Sequence, residues 1–125
     1  MSVISPAQRL KDNKPKPTRA YSSKQEKQVA KNLGGKQTKN SGATMFGGKG
    51  DVLLEDWSLE CKTKTSDSCS MSIKKEWLEK INKESLFDNK KYWALIFNFG
   101  PTDNKNYVII EENTFKELLD YERKS

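Results

Sequence analysis

Histidine is absent from the chain. Its absence removes Ser-His-Asp and Cys-His nucleophilic systems, His-rich zinc sites and nucleases that use a histidine base. Cysteine is scarce: Cys61 and Cys69, with no histidine to help, cannot complete a four-ligand zinc site within one chain. No apolar run approaches the ~20 residues needed to cross a bilayer. The N-terminal MSVISPAQRLKDNK lacks the apolar stretch of a signal peptide. The expected setting is the cytoplasm, or a host's cytoplasm if a virus encodes the chain, with no membrane partner and both thiols reduced. Large apolar residues are also few, and a hydrophobic fraction of 34% leaves part of the chain outside a core. Catalysis in such a chain must rest on carboxylates, lysines, hydroxyls or an oxygen-liganded metal.

What is present is charge, unevenly placed. The chain has 125 residues, enough for one domain, and a net charge of +6. Residues 1–50 hold 11 basic and 2 acidic residues, whereas 51–125 hold 12 basic and 15 acidic ones. A basic half joined to a mildly acidic half points to a polyanionic partner, most often nucleic acid. Residues 1–20, with three prolines and scattered Lys and Arg, read as a flexible basic arm; 21–125 read as the folded domain.

Along that domain, Ser23 followed three residues later by Glu26 has the pattern of a capping box, and Gly34-Gly35 that of a helix stop. A short strand near Lys36–Thr38 precedes a long polar loop. Strands then follow at Asp51–Leu54 and Trp57–Lys62, separated by a Glu55-Asp56 turn. In the second of these, Trp57, Leu59 and Cys61 share one face while Ser58, Glu60 and Lys62 share the other. Ser72 to about Ser85 reads as a helix carrying Ile73, Trp77, Leu78 and Ile81. Tyr92–Phe99 reads as a central strand and Tyr107–Ile110 as its hairpin partner. Asn113 is expected to cap a final helix bearing Phe115, Leu118 and Leu119. The order α-β-β-β-α-β-β-α implies an α/β fold, a central mixed β-sheet flanked by helices. Trp77 and Trp93 are expected in the core.

Asp51, Glu60 and Lys62 carry the chemistry. A hairpin brings the two carboxylates together on one face, and Lys62 projects to the same side. Converging carboxylates repel unless a divalent cation lies between them, and Mg²⁺ suits a few carboxylates plus waters and substrate oxygens. A neighbouring lysine orients a water and offsets charge in the transition state. Together these are the parts of a phosphodiester hydrolase.

Gly50-Asp51 followed by Glu60-Cys61-Lys62 resembles the PD-(D/E)xK nuclease superfamily. With the helix bearing Glu26 and the Ser41-Gly42-Ala43 loop, the chain looks similar to the archaeal-type Holliday junction resolvases and their viral relatives, over roughly Tyr21 to Phe99. Gly50 stands where the superfamily's name has proline. The resemblance implies the restriction-endonuclease-like fold. It also implies metal ligation by Asp51, Glu60 and the Cys61 carbonyl, with Glu26 as the helix-borne acid. Lys62 would position the water and Ser41 would lie near the scissile phosphate. Glu26 has a second reading, as a helix cap alone.

The activity so implied is Mg²⁺-dependent cleavage of DNA (with Mn²⁺ as substitute) by a homodimer making paired cuts in four-way junctions, in recombination or repair. Arg19, Lys36, Lys39, Lys49 and Lys64 would contact DNA phosphates without reading sequence. The alternatives are a related nuclease acting on flaps, ends or duplex, and a non-catalytic nucleic-acid-binding protein.

Overall fold

A computed structural model describes residues 18–38 and 50–124, the side chains of 18–20 excepted. The elements are α1 (Thr18–Leu33), β1 (Lys36–Gln37), β2 (Val52–Leu53), β3 (Trp57–Lys62), α2 (Lys75–Phe87), β4 (Tyr92–Phe97), β5 (Tyr107–Ile109) and α3 (Glu112–Lys124). The chain is α/β, with one five-stranded mixed sheet in the order β1-β2-β3-β4-β5. Only β3 and β4 run parallel, connected through α2; every other neighbouring pair is antiparallel. No helix among the described residues is long and apolar enough to cross a membrane.

Strand alternation divides the interior in two. Leu59 and Cys61 of β3, with Ala94 and Ile96 of β4, join Val52 and Val29 in one buried apolar cluster against α1. Trp93 and Leu95 of β4 turn the other way and pack with Ile81 of α2. The side chains of Ser58, Glu60 and Lys62 therefore share the α2 side of the sheet with Trp93 and Leu95.

Helix α1 stops where the glycine pair requires. Gly34 adopts a φ of 73°, and the Gly35 amide donates to the Ala30 carbonyl at 2.9 Å. That bond closes the last turn in a Schellman motif, and a side chain at Gly34 would be strained.

Other boundaries move. Helix α1 begins at Thr18, three residues inside the segment read as arm, so Ser23 lies within the helix and cannot be its cap. A capping box needs non-helical backbone at the serine, and nothing from Thr18 to Ser22 breaks a helix. Helix α2 starts at Lys75, leaving Ile73 outside it and exposed. Helix α3 starts at Glu112, so Asn113 is internal; the acidic residue in that first turn suits the helix dipole instead. None of α3's residues is buried, and Phe115 and Leu118 stand exposed. Residues 1–17, and with them most of the arm, lie outside the described residues, as do Lys39, Ser41 and Lys49.

Candidate active site

The site forms where β2, β3 and α1 meet. Val52 pairs with Leu59, which brings Asp51, just before β2, level with the Glu60-Cys61 step of β3. Asp51 is buried, and its Oδ2 accepts the Cys61 backbone amide at 2.9 Å. Its own carbonyl accepts the Thr38 amide at 3.0 Å, so the backbone is held by Thr38 just past β1 and the carboxylate by β3.

Gly50 is what lets this corner close. A Cβ there would lie 2.2 Å from Ser58 Oγ and 3.1 Å from the Leu59 carbonyl. A side chain fits only if the Ser58 hydroxyl moves aside, and a proline ring carries the same Cβ. Glycine in place of proline is thus matched to Ser58, whose hydroxyl is buried and finds no hydrogen-bond partner among the described residues.

Two further carboxyls approach Asp51. Glu26 of α1 hydrogen-bonds the Asp51 carboxyl and accepts from Gln37 Nε2 at 3.3 Å. Burial, reinforced by Asp51, pushes the Glu26 carboxyl up to about 7. Glu60 is buried from the other side of β3, and burial followed by the charges of Asp51 and Glu84 raises it to about 8. Lys62 opposes that rise, its Nζ lying 3.9 Å from Glu60 Oε1. Lys80 opposes it too, but burial wins because two partly solvated ammoniums do not repay the desolvation of Glu60 and the charges of Asp51 and Glu84. The Lys62 ammonium also sits 4.7 Å from the Trp77 ring centroid, a cation–π contact that fixes the lysine against α2.

Cys61 contributes only its backbone. Its thiol joins the apolar cluster and is raised far above the usual thiol range, chiefly by burial, so it is no ligand or nucleophile. Of the proposed phosphate contacts, Lys36 is exposed on β1, adjacent to Gln37, and Lys64 bonds Ser68 Oγ at 3.2 Å. Arg19 lies in the first turn of α1.

Sequence reasoning missed Gln37, Trp77's hold on Lys62, and Glu84. Glu84 is buried on α2 with Lys80 3.6 Å away, and burial raises its pKa. It was detectable as a lone acid on the stripe formed by Trp77, Ile81 and Ser85, where apolar residues are expected.

Glu26, Asp51 and Glu60 offer hard oxygen donors of the kind Mg²⁺ prefers, and the raised Glu26 and Glu60 carboxyls reflect burial and a mutual repulsion that no described residue fully offsets. Among the described residues no three His, Cys, Asp or Glu side chains already stand as a metal-holding group. Glu26 is engaged by Asp51 and Gln37, and Glu60 leans toward Lys62. The donor chemistry fits a divalent cation, with side-chain rotation needed to gather the ligands. No family model, curated protein or solved structure matches the chain.

Proposed function

We propose that the chain is a metal-dependent DNA endonuclease of restriction-endonuclease-like fold, acting as a homodimer on four-way junctions. The observation that carries the reading is the pair of buried carboxyls Asp51 and Glu60, with half-buried Glu26 of α1 against Asp51 and Lys62 beside Glu60. Proteins seldom bury unpaired carboxylates, because each costs several kcal/mol unless a cation compensates it (on the order of the desolvation penalty for one ion). Asp51 and Glu60, with the Cys61 carbonyl, would hold the cation, and Glu26 would join them from α1. A bound divalent cation supplies charge neutralisation at the phosphate and a more acidic water.

The chain's own residues do the rest. Lys62, steadied by Trp77, orients the attacking water and offsets charge on the phosphate. The water oxygen bonds to phosphorus as the bond to the leaving sugar oxygen breaks. The basic residues of the arm and Lys36 and Lys64 hold the DNA backbone without reading it. Two symmetric cuts across a junction call for two copies of the site, hence the dimer.

The test compares a mobile four-way junction with linear duplex of matched sequence, with Mg²⁺ and with chelator. Junction cleavage that needs the metal and disappears in Glu60→Gln is the expected result. Equal cutting of duplex would move the substrate to ordinary DNA. Tight binding with no cutting under any metal would leave a non-catalytic binder.

A further inference from the structure

We infer that the cleft at the carboxyl ends of β3 and β4 receives one unstacked nucleobase of the DNA being cut. The inference rests on the nuclease reading above. Strands β3 and β4 run parallel in register from Trp57↔Tyr92 to Lys62↔Phe97. The next residues, Thr63 and Asn98, line a cleft of about 240 Å³ together with Tyr21, Lys24, Gln25 and Gln28 of α1. The crevice beyond the carboxyl ends of parallel strands is where open α/β sheets hold their ligands. Here it begins one residue past Lys62, the last residue of β3.

The lining selects the occupant. One water takes ~30 Å³ of liquid volume, so the space calls for something much larger than a bridging water. Lys24 and Asp103, the charged residues of the lining, cancel, so the cleft is not an anion site. What remains is amides, hydroxyls and the Tyr21 ring, which match a base's polar edge and its flat face.

One buried acceptor in this lining lacks a donor. Gln25 is only 3% exposed. Its Nε2 donates to the Lys62 carbonyl at 2.9 Å and to Asn106 Oδ1 at 3.2 Å. Both partners are acceptors, so the amide cannot be turned over, and Oε1 is left with no partner among the described residues. An unmet buried carbonyl is costly; Oε1 is closed to solvent, so an exocyclic amine or ring N–H of a base meets it once the Gln25 side chain shifts toward the cleft it lines. The surrounding wall is already assembled: Thr63 donates to Asn98, and Asn98 Nδ2 to Asn106 Oδ1 at 3.3 Å.

The experiment places 2-aminopurine, in turn, at each nucleotide flanking the cleavage position of the DNA that the wild-type chain cuts. The full chain carrying Lys62→Ala, with Mg²⁺, holds that DNA uncut. Emission should rise severalfold at one position as the base leaves the stack. Adding Gln28→Ala or Tyr21→Ala should return emission toward that of free DNA, and Tyr21→Phe should preserve it. In chains with Lys62 intact, Gln28→Ala should erase a base preference of roughly tenfold next to the cut. Unchanged emission at every position, with the wild type cutting the same DNA, overturns the cleft and leaves the nuclease reading standing. An emission rise that both alanine variants retain puts the unstacked base elsewhere, and also overturns it. A chain that cuts no DNA sinks both readings.

Discussion

Strand β3 turns Leu59 and Cys61 toward α1 and Ser58, Glu60 and Lys62 toward α2, so one six-residue strand serves two unlike interiors. Among the described residues, six buried ones on the α1 side close into one apolar cluster. On the α2 side only Ile81, Trp93 and Leu95 of the described residues do so, beside Glu60, Glu84 and the Lys62–Trp77 contact. The first side stabilises the fold by removing apolar surface from water. The second sacrifices part of that stabilisation to keep charges close together in a poorly solvated corner. Along β3 itself, apolar packing and charge are thus separated by nothing more than the two-residue period of a strand, while Glu26 of α1 reaches the acidic corner from the apolar side.

The strongest test of this division is substitution on the charged side. Asp51→Asn, Glu60→Gln and Lys62→Ala should each lower cleavage by roughly 100- to 1,000-fold, the scale of losing one preorganised electrostatic group. DNA affinity should persist, because the basic surface supplies it. Melting temperature should hold, and for Glu60→Gln it should rise above pH 7. Glu26→Gln should behave alike, folded and impaired, since Ser23 inside α1 leaves no capping box for Glu26 to complete. A Glu60→Gln chain that cuts normally would break the assignment.

Next in size is the mirror experiment on the apolar side. Ile96→Ala removes a side chain 2% exposed and should cost about 2–5 kcal/mol of stability, read by denaturant unfolding. Cleavage by the fraction that remains folded should be near normal. A selective loss of activity without loss of stability would show that the two sides are not separable.

Gly50 joins the two sides, and its effect should be smaller. Gly50→Ala must push Ser58 Oγ aside and should destabilise by about 1–3 kcal/mol. In a Ser58→Ala background the penalty should shrink, which a double-mutant cycle would measure. An additive result would place the crowding elsewhere.

The gentlest perturbation is pH. Glu26 and Glu60 hold their protons more tightly in the folded chain, near 7 and 8, than the ordinary carboxyl value of 4.5. The folded state therefore binds more protons, and metal-free stability should be full below about pH 4.5 and fall as pH rises toward 8. Thermal melts in chelator should follow that slope, and Glu60→Gln should flatten its upper part. Added Mg²⁺ should stabilise most at the alkaline end. A melting temperature rising across this window would reverse the sign and remove the carboxyl crowding from the account.

The parts legible in the sequence were those where a local rule and the tertiary fold agree. The alternation of Trp57–Lys62 assigned both faces correctly because polar and apolar residues obey the period of two over the whole strand. The stop at Gly34 was legible because only glycine takes that backbone freely. The start of α1 was not, because Ser-x-x-Glu signals a helix start only where the preceding residues leave the helix, and Thr18–Ser22 do not. That Asp51 lies level with Glu60 followed from the register of the hairpin. Gln37, Glu84 and the Lys62–Trp77 contact arise from elements far apart in sequence, and no local pattern encodes such meetings.

Cys61 lies back to back with the acidic corner: its amide is held by Asp51 while its thiol is sealed in the apolar cluster. Cys69, by contrast, is exposed. An alkylating reagent should therefore mark Cys69 at once and reach Cys61 only when α1 lifts from the sheet. When closing outpaces labelling, the slow phase reports the free energy of opening that one seam. The chain thus carries its own stopwatch for the integrity of the corner, with an internal reference eight residues away, and divalent metal that grips the carboxylates should slow the hand.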